Sequence, residues 1–231
     1  MAVLPTSFSS IKSFHTCPRK HHVEKVLNLI PFTQSEQILY GNYVHEKAER
    51  YVGYDEPLPE DLSKLQPALD RLKALPGAKL CEYKMGVTRD MQPVKFFDKS
   101  ALYRGVADLL VVNDKLAWCV DYKTGSAKYP DKRQLELMAI MTFAHFPSVK
   151  VVRGALLFTA AKVLVKSVYN VEDAPAIWAK WCADADLLAA ADEHDSWPAK
   201  QNGLCKQWCP VTTCEYNGGG AKCSTTLTTK Q

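Results

Sequence analysis

The sequence predicts an α/β domain in which a mixed central sheet is flanked by helices. Two observations point there. Apolar residues recur at helical spacing near both ends of the chain, and short stretches rich in branched and aromatic residues dominate the middle. The resulting order, helices, three strands, a helix, two strands and a helix, builds one sheet with helices on both faces.

Taken in turn, Ser7 to Ser10 offer N-caps for a short helix through Phe14. The stretch from Cys17 to Val26 follows, crowded with Arg19, Lys20, His21, His22 and Lys25. A helix is expected from about Ser35, with apolar residues at 38, 39, 43, 44, 48, 51 and 52. A second helical region, from Glu60 to Leu75, is interrupted near Pro67. Strands are expected over 79–88, 103–112 and 115–123, separated by turn-forming residues. A helix over 131–146, two strands within 149–170 and a final helix over 171–191 complete the domain. The chain is expected to form one domain over 1–216, with 217–231 as a flexible tail.

Composition narrows the class. Of 231 residues, 47% are hydrophobic and 23% charged, and no apolar run is long enough to span a bilayer. The N-terminus lacks the basic-then-apolar layout of an export signal, which gives an intracellular, cytoplasmic expectation. A net charge of +4 is compatible with nucleic acid without arguing for it. No glycine-rich cofactor loop is present, which leaves a zinc-stabilised metabolic enzyme little support, and no Gly-x-x-x-x-Gly-Lys-Ser/Thr loop that would accompany DNA unwinding.

The chemistry concentrates at Asp121-Tyr122-Lys123, where an apolar strand is about to leave the core. Side chains alternate along a strand, so Asp121 and Lys123 share a face. The preceding strand carries Asp108 among apolar neighbours. With Asn113-Asp114 as a two-residue turn, position 108 lies opposite 119, and Asp108 and Asp121 become diagonal neighbours with Cβ atoms roughly 7–8 Å apart. Two carboxylates so placed can share a hard divalent cation, and without one they repel. Such a metal lowers the pKa of bound water and stabilises charge on a phosphoryl oxygen, and Lys123 can orient or deprotonate that water. The alternative is structural: a strand-end ion pair between Asp121 and Lys123, with Asp108 capping a turn.

The run from Gly105 through Asp108 to Asp121-Tyr122-Lys123-Thr124-Gly125 resembles the core of the PD-(D/E)XK nuclease superfamily, in its RecB-like branch. The resemblance implies a restriction-endonuclease-like fold and an Mg²⁺- or Mn²⁺-dependent deoxyribonuclease. It implies Asp108 and Asp121 as metal ligands, the Tyr122 backbone carbonyl as a further ligand, and Lys123 as the catalytic lysine. The branch's Gly-x-x-x-His-Glu pattern matches Gly41 to Glu46 and makes His45 a ligand. Glu82 sits where relatives often carry an acid, as a solvated or outer carboxylate by the metal. The Gln-x-x-x-Tyr motif matches at Gln134, with Met138 in the tyrosine's place.

The eight cysteines are unevenly spread: Cys17 stands near the N-terminus, Cys81, Cys119 and Cys182 lie in apolar segments, and Cys205, Cys209, Cys214 and Cys223 crowd the C-terminal end. A subset of RecB-like nucleases, including CRISPR-associated ones, is similar in joining one N-terminal and three C-terminal cysteines around a 4Fe–4S cluster. That similarity implies Cys17, Cys205, Cys209 and Cys214 as ligands, in a staple tying the chain ends. The middle cysteine is displaced by one residue from the branch's spacing. Four thiolates on Zn²⁺ are the alternative, with Cys223 able to replace Cys17. Lys12, Arg19, Lys20 and Lys25 are candidates for a surface tracking the DNA backbone, or else a solvated helix face.

The reading is therefore a nuclease acting on DNA ends or single strands, an exonuclease in preference to a sequence-specific endonuclease, alone or with a separate helicase or processing partner. Its rival is a non-catalytic nucleic-acid-binding or assembly protein on the same fold, with a structural Fe–S or Zn site.

Overall fold

The computed structural model describes residues 5–219. Most of the expected tail, and Cys223, lie outside the described residues. The chain divides into two compact units, one holding Gln34–Ala185 with the residues up to Phe8, the other Ser9–Thr33 with the residues from Asp186 onward. The second unit thus combines segments from both ends of the chain.

In the first unit, helix α3 (Glu36–Tyr54) begins where the Ser35 hydroxyl accepts the Ile38 N–H. It follows helices α1 (Phe8–Thr16) and α2 (Pro18–His21) in chain order. A 3-10 turn, Glu60–Leu65, leads into α4 (Gln66–Lys73), with Pro67 in the first turn, where a missing N–H costs least. The interruption expected at Pro67 is thus the junction of these two pieces.

Six strands follow: β1 (Ala78–Val87), β2 (Pro93–Val94), β3 (Tyr103–Asn113), β4 (Leu116–Lys123), β5 (Val151–Phe158) and β6 (Val163–Asn170). They form one mixed sheet in the order β2-β1-β3-β4-β5-β6. Only β4 and β5 are parallel, because helix α5 (Arg133–His145) carries the chain back between them. Helix α6 (Ala174–Glu193) closes the regular structure. The short β2 and the 3-10 turn at Gly203–Lys206 had no signal in the sequence.

The sheet has two packed faces. Val44, Ala48 and Val52 of α3 and Leu69 of α4 form one buried cluster with Leu109, Val111, Val120, Tyr122 and Leu157. On the other face α5 lies close, since a Cβ on Gly154 would stand 3.1 Å from that of Leu135. Nearly every side chain of α5 from Leu135 to Ala144 is buried, as expected of a helix apolar all round. This is the mixed sheet with helical cover that the sequence predicts.

One expectation is corrected. The β3–β4 hairpin turns at Asp114-Lys115, with Asn113 paired to Leu116 and Asp114 at φ 49°. The ladder is bridged as far as Leu109–Val120, so Asp108 falls in line with Asp121 one step further on, not opposite Cys119. Asp114 tolerates the left-handed backbone that a tight two-residue turn needs, which moves the turn one residue along and the register by two.

Candidate active site

The site lies where β3 and β4 leave their ladder. Asp108 and Asp121 are 9% and 6% exposed, unusual for carboxylates and costly unless each has partners. Asp108 Oδ2 accepts the Tyr122 backbone N–H at 2.7 Å and lies 3.4 Å from His45 Nδ1. His45 Nε2 in turn lies 2.8 Å from the Tyr122 carbonyl oxygen. One peptide strand end, one acid and one helical histidine thus interlock. α3 can deliver His45 because Val44 and Ala48, on either side of it, are in the core and fix the helix rotation.

Glu82 joins them. The β1–β3 register places it opposite Asp108, between the bridged pairs Cys81–Leu109 and Tyr83–Ala107. Its backbone is left-handed, at φ 48°, a strained conformation for a non-glycine residue inside a strand. Ligand atoms of His45, Glu82 and Asp108 all lie within 4.8 Å of one another, a spacing suited to one metal ion.

Asp121 meets α5. The Gln134 amide donates to Asp121 Oδ1, Lys123 Nζ donates to Gln134 Oε1 at 2.8 Å, and Lys123 Nζ stands 2.6 Å from Asp121 Oδ2. That second oxygen is buried, and its close partner is the Lys123 ammonium. Gln134 therefore acts as a spacer that fixes both the acid and the lysine. Met138, one turn on, is buried, and a Cβ on Gly105 would meet its methyl group. An apolar side chain fills the tyrosine's place in this motif.

The electrostatics are those of a site short of positive charge. Burial pushes the Asp121 carboxyl above its ordinary value, and Asp108 adds to the push, against Lys123 and His45. Burial and Asp108 likewise raise Glu82. Burial would lower His45, but its hydrogen bond to Asp108, the Tyr122 carbonyl and the charge of Asp121 together raise it. Three buried or half-buried acids, a histidine and the Tyr122 carbonyl beside it form a donor set of oxygen and imidazole. It fits a hard divalent cation.

The four cysteines lie together in the second unit. Cys17, Cys205, Cys209 and Cys214 line one cavity, with Lys20 and Tyr216 beside them. No described cysteine is in a disulfide. Backbone N–H groups of Lys200 and Asn202 point at the sulfurs of Cys17 and Cys205, at 3.5 and 3.4 Å. Of the basic candidates, Arg19 pairs with Glu215 and Lys20 lies 3.6 Å from Glu24, whereas Lys12 and Lys25 are exposed.

The part of this site hardest to foresee was the full participation of Glu82. Its partner depends on a register set across the long 88–102 connection, which no turn motif encodes. The close approach of Gly41 was also unforeseen: a Cβ there would lie 3.3 Å from Thr124 Oγ1, so α3 abuts the residue that follows Lys123.

A mixed sheet that brings two acids, a lysine and a helical histidine to one strand end defines a class of acid–lysine sites suited to a divalent cation. The chain belongs to the PD-(D/E)XK nuclease superfamily, whose family model matches residues 5–214. Among solved structures, that of SSO0001 is 14% identical, covering 92% of this chain and 87% of that one, with a TM-score of 0.47. A structure named "Putative exonuclease", from Eubacterium rectale, is 12% identical, with 87% and 85% coverage and a TM-score of 0.47. No curated protein matches the chain. Among the described residues, no helix is long and apolar enough to cross a membrane.

Proposed function

We propose that this protein is a divalent-cation-dependent deoxyribonuclease that hydrolyses phosphodiester bonds at DNA ends or in single strands. The observation that carries the reading is the convergence of His45, Glu82 and Asp108 on one point, beside Asp121 held by Lys123 and Gln134. His45, Asp108, Asp121, Glu82 and the Tyr122 carbonyl are the groups that would hold Mg²⁺ or Mn²⁺. Such an ion supplies Lewis acidity towards a phosphoryl oxygen and a more acidic bound water.

The chain's own residues supply the rest. Lys123, fixed by Gln134, places a mobile proton and a positive charge where a water attacks and where charge grows on the phosphate. The Asp108 carboxylate, through the Tyr122 N–H, holds the strand end so that its carbonyl faces His45. Exonuclease action on DNA ends or single strands is proposed in preference to sequence-specific cleavage.

We also infer a metal centre at Cys17, Cys205, Cys209 and Cys214, with a 4Fe–4S cluster preferred over Zn²⁺. What supports it is a shared cavity and backbone N–H donors aimed at two of the sulfurs. A closed centre of this kind contributes folding energy without redox work.

The test is anaerobically purified protein with end-labelled single- and double-stranded DNA under Mg²⁺, Mn²⁺ or EDTA, beside Asp121→Ala. Metal-dependent cleavage lost in the variant is expected, and the product ladder then gives polarity. A folded, metal-loaded protein that binds DNA without cutting it would establish the non-catalytic reading instead.

A further inference from the structure

The loop that follows the catalytic strand carries an aromatic ring that the reaction does not use. Residues 124–132 connect Lys123 at the end of β4 to α5, whose Gln134 touches both Lys123 and Asp121. Both ends of the loop are therefore anchored in the site, and Gly41 of α3 lies against its first residue, Thr124. Tyr129 stands in this loop at 81% exposure, the most exposed large hydrophobic side chain among the described residues. A ring so exposed contributes next to nothing to the core. It is six residues from Lys123 and five from Gln134, which limits its Cα to about 20 Å from either.

The ring is also held in place. The Ser126 hydroxyl accepts the Lys128 N–H at 3.2 Å, shaping the turn before Tyr129. Pro130 restricts the Tyr129 backbone to extended conformations. The Lys128 ammonium lies over the ring, 5.2 Å from its centroid. At the far end, Asp131 Oδ1 accepts the Arg133 N–H at 3.2 Å as α5 begins. Lys128 and Lys132, both exposed, flank Tyr129 in sequence, with half-buried Asp131 the acid among them. An exposed aromatic surface with one ammonium against it and a second lysine three residues on, in a loop shaped by its own contacts, has the chemistry that single-stranded nucleic acid recognises: a π-face for a base and positive charge for the backbone.

We infer that Tyr129 is a stacking platform for an unpaired base of the substrate strand, within a few nucleotides of the scissile phosphate. This deepens the nuclease reading and rests on it. The platform selects single-stranded or frayed ends, because a base inside a duplex offers no free face. It is indifferent to base identity, since every base has a π-face.

The experiment compares wild type, Tyr129→Ala, Tyr129→Phe, Tyr129→Trp and Phe97→Ala for binding in EDTA. The ligands are a short dT oligonucleotide and an abasic strand of the same length. Phe97, 77% exposed on a different loop, controls for the loss of any exposed ring. Tyr129→Ala is expected to weaken dT binding by about 5- to 100-fold. It should leave abasic binding and Phe97→Ala at the wild-type level, with the Phe variant close to wild type. The Trp variant's fluorescence should be quenched by dT and not by the abasic strand. Equal dT affinity for wild type and Tyr129→Ala, equal losses on both strands, or an equal loss in Phe97→Ala overturns the platform. If wild type cleaves DNA but shows any of these, only the platform falls; if wild type neither binds nor cleaves either strand, both readings fall.

Discussion

At the scale of single residues, two side chains test the proposed division between metal binding and chemistry. His45 touches Asp108 through one ring nitrogen and the Tyr122 carbonyl through the other, an arrangement suited to an imidazolium that donates twice. A metal needs that ring neutral. The pKa of His45 is raised above its ordinary 6.5, so in metal-free protein its contribution to stability is complete below pH 6.5 and is lost as pH rises through the folded value. Affinity for Mn²⁺ should climb over that same interval, and His45→Ala should weaken it by about 10-fold or more and flatten the pH dependence. Mn²⁺ titrations followed by electron paramagnetic resonance at a series of pH values check both. Lys123 lies on the other side of this division. Lys123→Ala should lower turnover by about 100- to 10,000-fold with metal affinity little changed. A single-turnover assay beside the same Mn²⁺ titration reads that contrast, and a parallel loss of metal binding would make Lys123 a charge partner of Asp121 alone.

At the scale of elements, the site is an outcome of register. β1 enters the sheet through Gly77, at φ 121°, where a Cβ would stand 2.4 Å from the Val112 carbonyl oxygen. The Val112 carbonyl is backbone and cannot swing aside, and the positive φ is itself strained for alanine, so Gly77→Ala should destabilise the protein by roughly 1–3 kcal/mol in urea unfolding. It should also weaken Mn²⁺ binding, because the same pairing brings Glu82 opposite Asp108. The strands and helices themselves were legible: β1, β3 and β4 fall within a residue or so of their apolar runs, and α3 starts at the Ser35 cap. Asp108, Asp121, Lys123, His45 and Gln134 were legible as candidates because their types are rare in such apolar settings and match one family pattern. Pairing between strands was not. The β3–β4 turn has two equally short solutions, Asn113-Asp114 and Asp114-Lys115, and the choice depends on which residue takes the left-handed backbone. β1 pairs across a connection whose length places no constraint on its register, so Glu82 could be named but not positioned.

At the scale of the whole molecule, the chain spends its two ends on a unit with little regular structure. Apart from α1, that unit contains short helices and turns, and part of α6. Its aromatic contacts, His22 stacked on Trp197 at 4.6 Å and Phe14 edge-on to the same ring, link the two end segments but bury a modest apolar area. A small unit of that kind usually needs a further constraint to be stable. The closed centre proposed at Cys17, Cys205, Cys209 and Cys214 would supply one, since it would join residues far apart in sequence and exist only in the folded chain. Anaerobic protein should therefore contain iron and acid-labile sulfide, and Cys205→Ser should lose both. Amide exchange should then accelerate over 9–33 and 186–219 while the β3–β4 strands, which rest on the apolar cluster of the sheet, keep their protection. Zinc without sulfide would replace the cluster by four thiolates on one ion. Unchanged exchange in Cys205→Ser would show that aromatic packing alone holds the two end segments together.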